Sequence, residues 1–384
     1  QNRRPFKPEA FPQNQTSKEK QISLITSTPK EIKQKVVISL LRFMTELGKR
    51  KEQKLFNDIV RCSFHENIIN VAHEFSENEI VIFTILSFYK ETIHNFSYTH
   101  KHIIRRDTFD LFHNIIINST FSKEIRLMPI EIFRLFIHNK KQIISSIQHD
   151  QIIDFLISFF NEKIKNENLW SSFLELIKEM IIDKQSFNRI MTKIESYLLD
   201  FLATNRNCGV VACSISILNL RFQYTENPIA AFNPPIHFNK LFKYAKNKND
   251  SLSCSSLKMI YNIMNYSPEL FFKCLDMNIA EILLYKLSNS KMKTRKQVLR
   301  ILSLIVTKGN IETHKQCIVM DFITAFLEMI EIDKEDFLDL AIPSLITLLE
   351  VSFKEPGYLT NWEQFDANDG MTVIENLQTS TIAN

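Results

Sequence analysis

The chain has 384 residues, 45% of them hydrophobic and 23% charged, ordinary values for a soluble globular protein. Its net charge of +4 is spread over interspersed lysines and glutamates, too weak by itself to argue for a nucleic-acid partner. Phe is abundant at 31 and Gly scarce at 5, which excludes a glycine-rich phosphate loop, and no run of about 18 apolar residues offers a membrane span.

Residues 1-28 hold few aliphatics, several prolines and the basic pair Arg3-Arg4, and are expected to form a flexible N-terminal arm. This polar, Pro-containing opening is not expected to be a signal peptide, and without an initiator Met the chain is expected to be processed, trimmed or incompletely covered. Thr28-Pro29-Lys30-Glu31 reads as a capping box with Pro at the first helical position. Val36, Val37, Leu40, Leu41, Met44 and Leu47 follow at helical spacing, and Gly48 is expected to end the helix. Lys49-Arg50-Lys51 beyond it suits a solvated helix end, with a targeting signal as the alternative.

From Leu55 to Asn205 the apolar faces continue with a blurred repeat. The runs are Ile59 to Ala72, Ile80 to Ile93, Ile103 to Ile117, Ile130 to Ile137, Ile143 to Phe160, Trp170 to Ile182 and Phe187 to Leu202. Polar clusters such as Ser76-Glu77-Asn78 and Asn118-Ser119-Thr120 separate them, with lengths usual for helix–helix connections. Val210 to Phe222 restores a clear pattern, Asn233-Pro234-Pro235 is expected to interrupt it, and Phe238 to Ala245 and Leu252 to Met264 resume it.

The stretch from Ser256 to Ile330 reads twice over. Ser256 to Leu287 and Arg295 to Ile330 each show an apolar helical run, a polar turn and a second apolar run. Cys274 and Cys317, Met277 and Met320, and Leu284 and Leu327 are each 43 residues apart. A period of about 40–47 residues points to stacked helical repeats of the armadillo or HEAT type. After Pro356-Gly357, Asp366 to Gln378 is expected to carry one more short helix. The expected fold is an all-α, right-handed superhelical α-solenoid over residues 29-384, with about eight or nine repeats and the last incomplete.

No constellation for chemistry emerges. The glycines Gly48, Gly209, Gly309, Gly357 and Gly370 are too far apart for a dinucleotide or phosphate loop. His73-Glu74 begins like a zincin motif, but Glu77 stands where the second histidine belongs. His94, His100 and His102 have no Cys or carboxylate at a familiar zinc spacing. Asp366, Asn368 and Asp369 place Gly370 at the fifth rather than the sixth position of a calcium loop. The six cysteines form no C-x-x-C pair, and several sit in apolar runs, which suits a reducing compartment. No enzyme activity, metal or cofactor is expected.

Thr294-Arg295-Lys296-Gln297, the turn with Gly309 and Glu312, and the following run Cys317 to Ile330 resemble importin-alpha-type armadillo repeats. Gly370-Met371-Thr372-Val373-Ile374-Glu375-Asn376-Leu377-Gln378 is similar to that family's closing segment. The resemblance implies a concave groove in which Asn amides bond an extended peptide and paired tryptophans hold Lys and Arg side chains through cation–π contacts worth about 0.5–2 kcal/mol each. Asn219 and Asn262 match the groove asparagine. Ile215 and Lys258 stand where the paired tryptophans belong, and Arg300 and Leu304 occupy the Trp and Asn places of the next repeat. Thr84 and Phe88 fall at the same places earlier in the chain, and Trp170 and Trp362 fall off the ladder. Within a helix an Asn can also serve packing, by bonding an adjacent turn.

The peptide-groove candidates are therefore Asn219, Asn262, Lys258 and Arg300. The implied function is a nuclear import adaptor that binds cargo peptides on its concave face, works in cytoplasm and nucleus, and engages a beta-type import carrier through the N-terminal arm. The alternative is an armadillo-repeat scaffold in a cytoskeletal or signalling assembly, without nuclear-localisation-signal binding. An inner face lined by acids and aromatics favours the first, and one lined by Lys, Arg and aliphatics favours the second. Membrane and nucleic acid are not expected partners.

Overall fold

A computed structural model describes residues 30–50, 64–95, 105–139, 146–161, 167–232, 234–332, 334–354 and 360–378. The expected arm 1-28, the Thr28-Pro29 part of the capping box, and His100 and His102 lie outside the described residues. Every regular element among the described residues is helical. The chain divides into two compact units, Gln1–Phe159 and Phe160–Asn384, where the sequence suggests one solenoid over 29-384.

The first unit holds α1 (Lys30–Lys49), α2 (Phe64–Glu74), α3 (Glu79–Asn95), α4 (Arg106–Ile117), α5 (Lys123–Asn139) and α6 (Ser146–Ser158). α1, α3 and α5 pack side by side in a row, and α2 and α4 form a second layer against them. Their apolar faces meet in a core rich in rings. Phe109 stacks on Phe133 at 5.6 Å, and Phe155 joins both. α5 runs through Pro129, which falls in its second turn.

The second unit begins with α7 (Glu167–Met180), α8 (Lys184–Thr204), α9 (Cys208–Leu218), α10 (Arg221–Tyr224) and α11 (Pro234–Ala245). α12 (Asp250–Tyr266), α13 (Pro268–Asp276), α14 (Ile279–Asn289) and α15 (Met292–Lys308) follow. The last are α16 (Ile311–Val319), α17 (Phe322–Ile330), α18 (Glu335–Lys354), α19 (Thr360–Ala367) and α20 (Gly370–Gln378). α7, α9, α12, α15 and α18 stack in sequence as a ladder, and α12, α15 and α18 are each followed by two shorter helices. Asn side chains start three ladder or cover helices, because their carbonyl accepts an otherwise orphaned N–H: Asn207 from Val210, Asn249 from Leu252 and Asn310 from Thr313.

The 43-residue period is visible as hydrogen bonds between successive repeats. Asn262 Nδ2 donates to Asn219 Oδ1 at 2.8 Å, and Lys308 Nζ donates to Asn265 O at 2.9 Å, each across 43 residues. Tyr244 Oη donates to Leu202 O across 42. In the first unit Ser122 N donates to Glu79 Oε1, again across 43. Contacts that recur at one fixed offset define stacked repeats.

The repeat contains three helices, not the two runs read from the pattern. Cys317 to Ile330 is not one helix: α16 ends at Val319, and α17 starts at Phe322. The break is made by Asp321, with φ 63°, and its counterpart Asn278, 43 residues earlier, has φ 61°. Both sit in the left-handed region, which Asn and Asp tolerate better than other residues with a Cβ. The apolar pattern runs across the break because both short helices bury residues in the same core, so the period alone conceals it. Asp366 to Gln378 is likewise two elements, the end of α19 and all of α20, parted by Asp369 at φ 51°. Asn278→Ala is expected to cost about 1–2 kcal/mol and Asn278→Gly almost nothing, measured as urea unfolding free energies.

Two other boundaries shift. The proline pair does not separate helices but opens α11, whose first turn needs no donor from Pro234 or Pro235. The run Val210 to Phe222 breaks after Leu218, so Asn219 caps α9 and α10 begins at Arg221. Cys274 and Cys317 are buried at equivalent points of successive repeats. Burial pushes both thiols up to about 12, so they act as small apolar groups and not as nucleophiles.

Candidate functional site

The ladder helices of the second unit each bury one face and leave another open. On α12 the open positions follow helical spacing through Ser251, Ser255, Lys258, Asn262 and Asn265. On α15 they are Lys293, Lys296, Arg300, Ser303 and Thr307, and on α18 they include Asp336, Asp339, Pro343 and Ile346. α9 contributes the smaller Cys213 and Ser216.

The polar groups on this face are tied across helices. Ser216 Oγ and Ser255 Oγ lie 3.2 Å apart, joining α9 to α12. One step along, Asn262 on α12 bonds Asn219 at the end of α9. The two candidate asparagines are thus brought together, and each satisfies part of the other. Asn219 is buried, while Asn262 is partly exposed. The Asn219–Asn262 bond reports packing between repeats, and it leaves the Asn262 carbonyl as the outward acceptor.

Lys258 and Lys293 are exposed, and Arg300 is partly exposed. Lys296 of α15 pairs with Asp336 of α18. Lys296 and then Arg300 hold the Asp336 carboxyl below its ordinary value, first through the Lys296 hydrogen bond. Lys258 and Lys293 have no carboxylate within ion-pair distance among the described residues. The face therefore carries four cations on two adjacent helices and one carboxylate bound into them. The pairing of Lys296 was not anticipated from sequence, although its charge at helical spacing from Arg300 was available as a signal.

No tryptophan joins this face. Trp170 is buried among Phe160, Phe173 and Phe201, and Trp362 sits on α19 against Phe365. Ile215 and Leu304 are buried, so only the charged substitutions reach solvent. In the first unit Thr84 and Phe88 are also buried, and the exposed apolar residues of α3 include Ile80 and Phe83. With Ile32, Val36 and Phe43 of α1 they give that unit an open apolar surface.

A hollow of about 210 Å³ lies between α2 and α4, lined in part by His73, Glu77 and Asn114. It is smaller than the usual ligand pocket of roughly 300–1,000 Å³. No group of three or more His, Cys, Asp or Glu side chains among the described residues could hold a metal ion. No helix among them is long and apolar enough to cross a membrane.

No family model matches the chain, and no curated protein matches it. An engineered protein solved by the Northeast Structural Genomics Consortium is similar in structure, with TM-score 0.58 and 12% identity over 94% of each chain. A designed armadillo repeat protein aligns with 62% of this chain and 98% of its own, at 13% identity and TM-score 0.47. A second designed armadillo repeat protein, solved with a (KR)4 peptide, covers 62% of this chain and 98% of its own at 11% identity and TM-score 0.47. At these identities the likeness concerns the fold. With the 43-residue bonds between repeats, the first of these likenesses, at TM-score 0.58, makes the protein an all-α solenoid of armadillo/HEAT-like repeats.

Proposed function

We propose that this protein is a binding scaffold that holds an extended segment of a partner protein along the ladder face of its second unit, and that it performs no catalysis. The observation that carries this reading is the composition of that face. Lys258, Lys293, Lys296 and Arg300 line it with hydroxyls and Asn262, and no tryptophan accompanies them. Such a face offers donors and charge to a partner but no aromatic slots for Lys and Arg side chains. The exposed apolar side chains of α1 and α3 supply a second kind of contact surface in the first unit.

A nuclear import adaptor, working in cytoplasm and nucleus, is the second reading. It is favoured by the acidic side chains Asp336 and Asp339 on α18 and Glu175 on α7, which suit a basic cargo peptide. The beta-type carrier would engage the arm 1-28, outside the described residues. Titrating a fluorescent Lys/Arg-rich peptide at low salt separates the two. The scaffold reading expects no saturable binding; salt-sensitive binding that Asp339→Lys weakens would establish the adaptor instead.

A further inference from the structure

We infer that the segment held by the second unit is acidic, and that Lys258, Lys293 and Arg300 read its carboxylates. The inference rests on the reading of the ladder face as a groove for an extended segment, and names the chemistry of what fills it.

Charge is unbalanced across two adjacent helices, α12 and α15. Asp336 is paired with Lys296, and Arg300 adds only a weaker, longer-range attraction to it. Lys258 on α12 and Lys293 on α15 have no carboxylate within ion-pair distance among the described residues. The face thus keeps an unbalanced positive charge at its centre, flanked by the carboxylates of α18. Lys258 and Arg300 occupy equivalent positions of successive repeats, one on each helix. Packed helices lie about 8–10 Å apart, and an extended chain advances about 3.3 Å per residue, so about three residues separate the two cations along a crossing segment. Carboxylates at every third residue would meet Lys258 and then Arg300 in turn.

The outward groups beside the cations suit a peptide. Asn262 presents a carbonyl to a backbone N–H, and Ser255 and Ser303 leave room for an extended main chain. A nucleic acid fits less well. It carries a charge on every nucleotide, and the block spans only two helices before Asp336 and Asp339 would oppose the next phosphate.

The test uses the full chain and a fluorescein-labelled peptide with Glu at every third residue. Its counterparts carry Gln or Lys at the same places, and a labelled oligouridine serves as the polyanion. The Glu peptide is expected to bind in low salt, to weaken as salt rises, and to lose about tenfold in affinity in Lys258→Glu with Arg300→Glu. Both positions reach solvent, and an unchanged thermal melt shows that the variant still folds. Unaltered affinity in that variant overturns the inference, as does tighter binding of oligouridine with the same dependence on these two residues. If the Gln peptide binds as well as the Glu peptide and Ser255→Trp blocks both, the groove stands and its acidic preference falls. If Ser255→Trp changes the binding of no peptide, the groove reading falls too.

Discussion

Phe322→Ala is expected to lower the unfolding free energy by about 3–5 kcal/mol. Phe322 is fully buried at the first turn of α17, immediately after the left-handed Asp321. Its ring meets Phe326 edge-on at 6.4 Å. α17 packs against α15, α16, α18, α19 and α20, so the space left by the ring is walled by helices and cannot collapse. Each repeat of a solenoid leans on its neighbours, so the loss is expected to appear in hydrogen exchange across α16 to α20 as well as in the urea midpoint. Phe322→Leu should retain most of the stability, with a cost below about 1.5 kcal/mol. A loss under about 1 kcal/mol for the alanine variant would mean that the site repacks and that α17 is not the centre of that core.

Arg221→Ala is expected to cost about 3 kcal/mol, through hydrogen bonds and not through volume. Arg221 is buried at the start of α10 and holds three partners at once. Its Nε donates to Pro228 O at 2.8 Å, its Nη2 donates to Asn227 O at 3.3 Å, and its Nη1 pairs with Glu195 of α8. Truncation strands two carbonyls and a carboxylate, one of them buried with Pro228. Arg221→Lys keeps the charge but offers no planar fork, and should recover less than half of the loss. Guanidinium or urea unfolding with matched Glu195→Gln and double variants separates the pair from the carbonyl contacts. Strong coupling between Arg221 and Glu195 is expected; strict additivity would assign the whole effect to the loop carbonyls.

Arg221 shows why parts of the structure were hidden in the sequence. Nothing in its neighbours marks it as buried, since it follows an apolar run as one more charged residue. Its partners lie in α8 and in the segment before α11, and only folding brings them together. Lys296 is similar: its pairing with Asp336 depends on the register of α15 against α18. By contrast, the long helices were legible. Apolar spacing located them, because a helix buries one face and the period of 3.6 records it, but it ran α9 into α10, α16 into α17 and α19 into α20. Gly370, which opens α20, has a local reason: a Cβ there would meet the Phe365 ring at 2.4 Å.

The candidate site was half legible. The 43-residue offset placed Asn219 and Asn262 in equivalent positions, and the bond between them confirms that equivalence. The resemblance, and not that offset, put Lys258 and Arg300, 42 residues apart, where tryptophans belong in the resembled family. What the offset could not give was the mutual use of the two asparagines, because a shared period says that two side chains align, not that they bond.

The sequence by itself therefore determined the helical class, the repeat length and the absence of a tryptophan ladder, all of which follow from local spacing and residue type. The tertiary structure alone decided the three-helix form of the repeat, the engagement of Asp336 by Lys296, and the cations left open at Lys258 and Lys293. The reason is physical: spacing along one helix fixes which residues share a face, whereas charge balance on that face is set by how neighbouring repeats dock, through contacts about 40 residues apart.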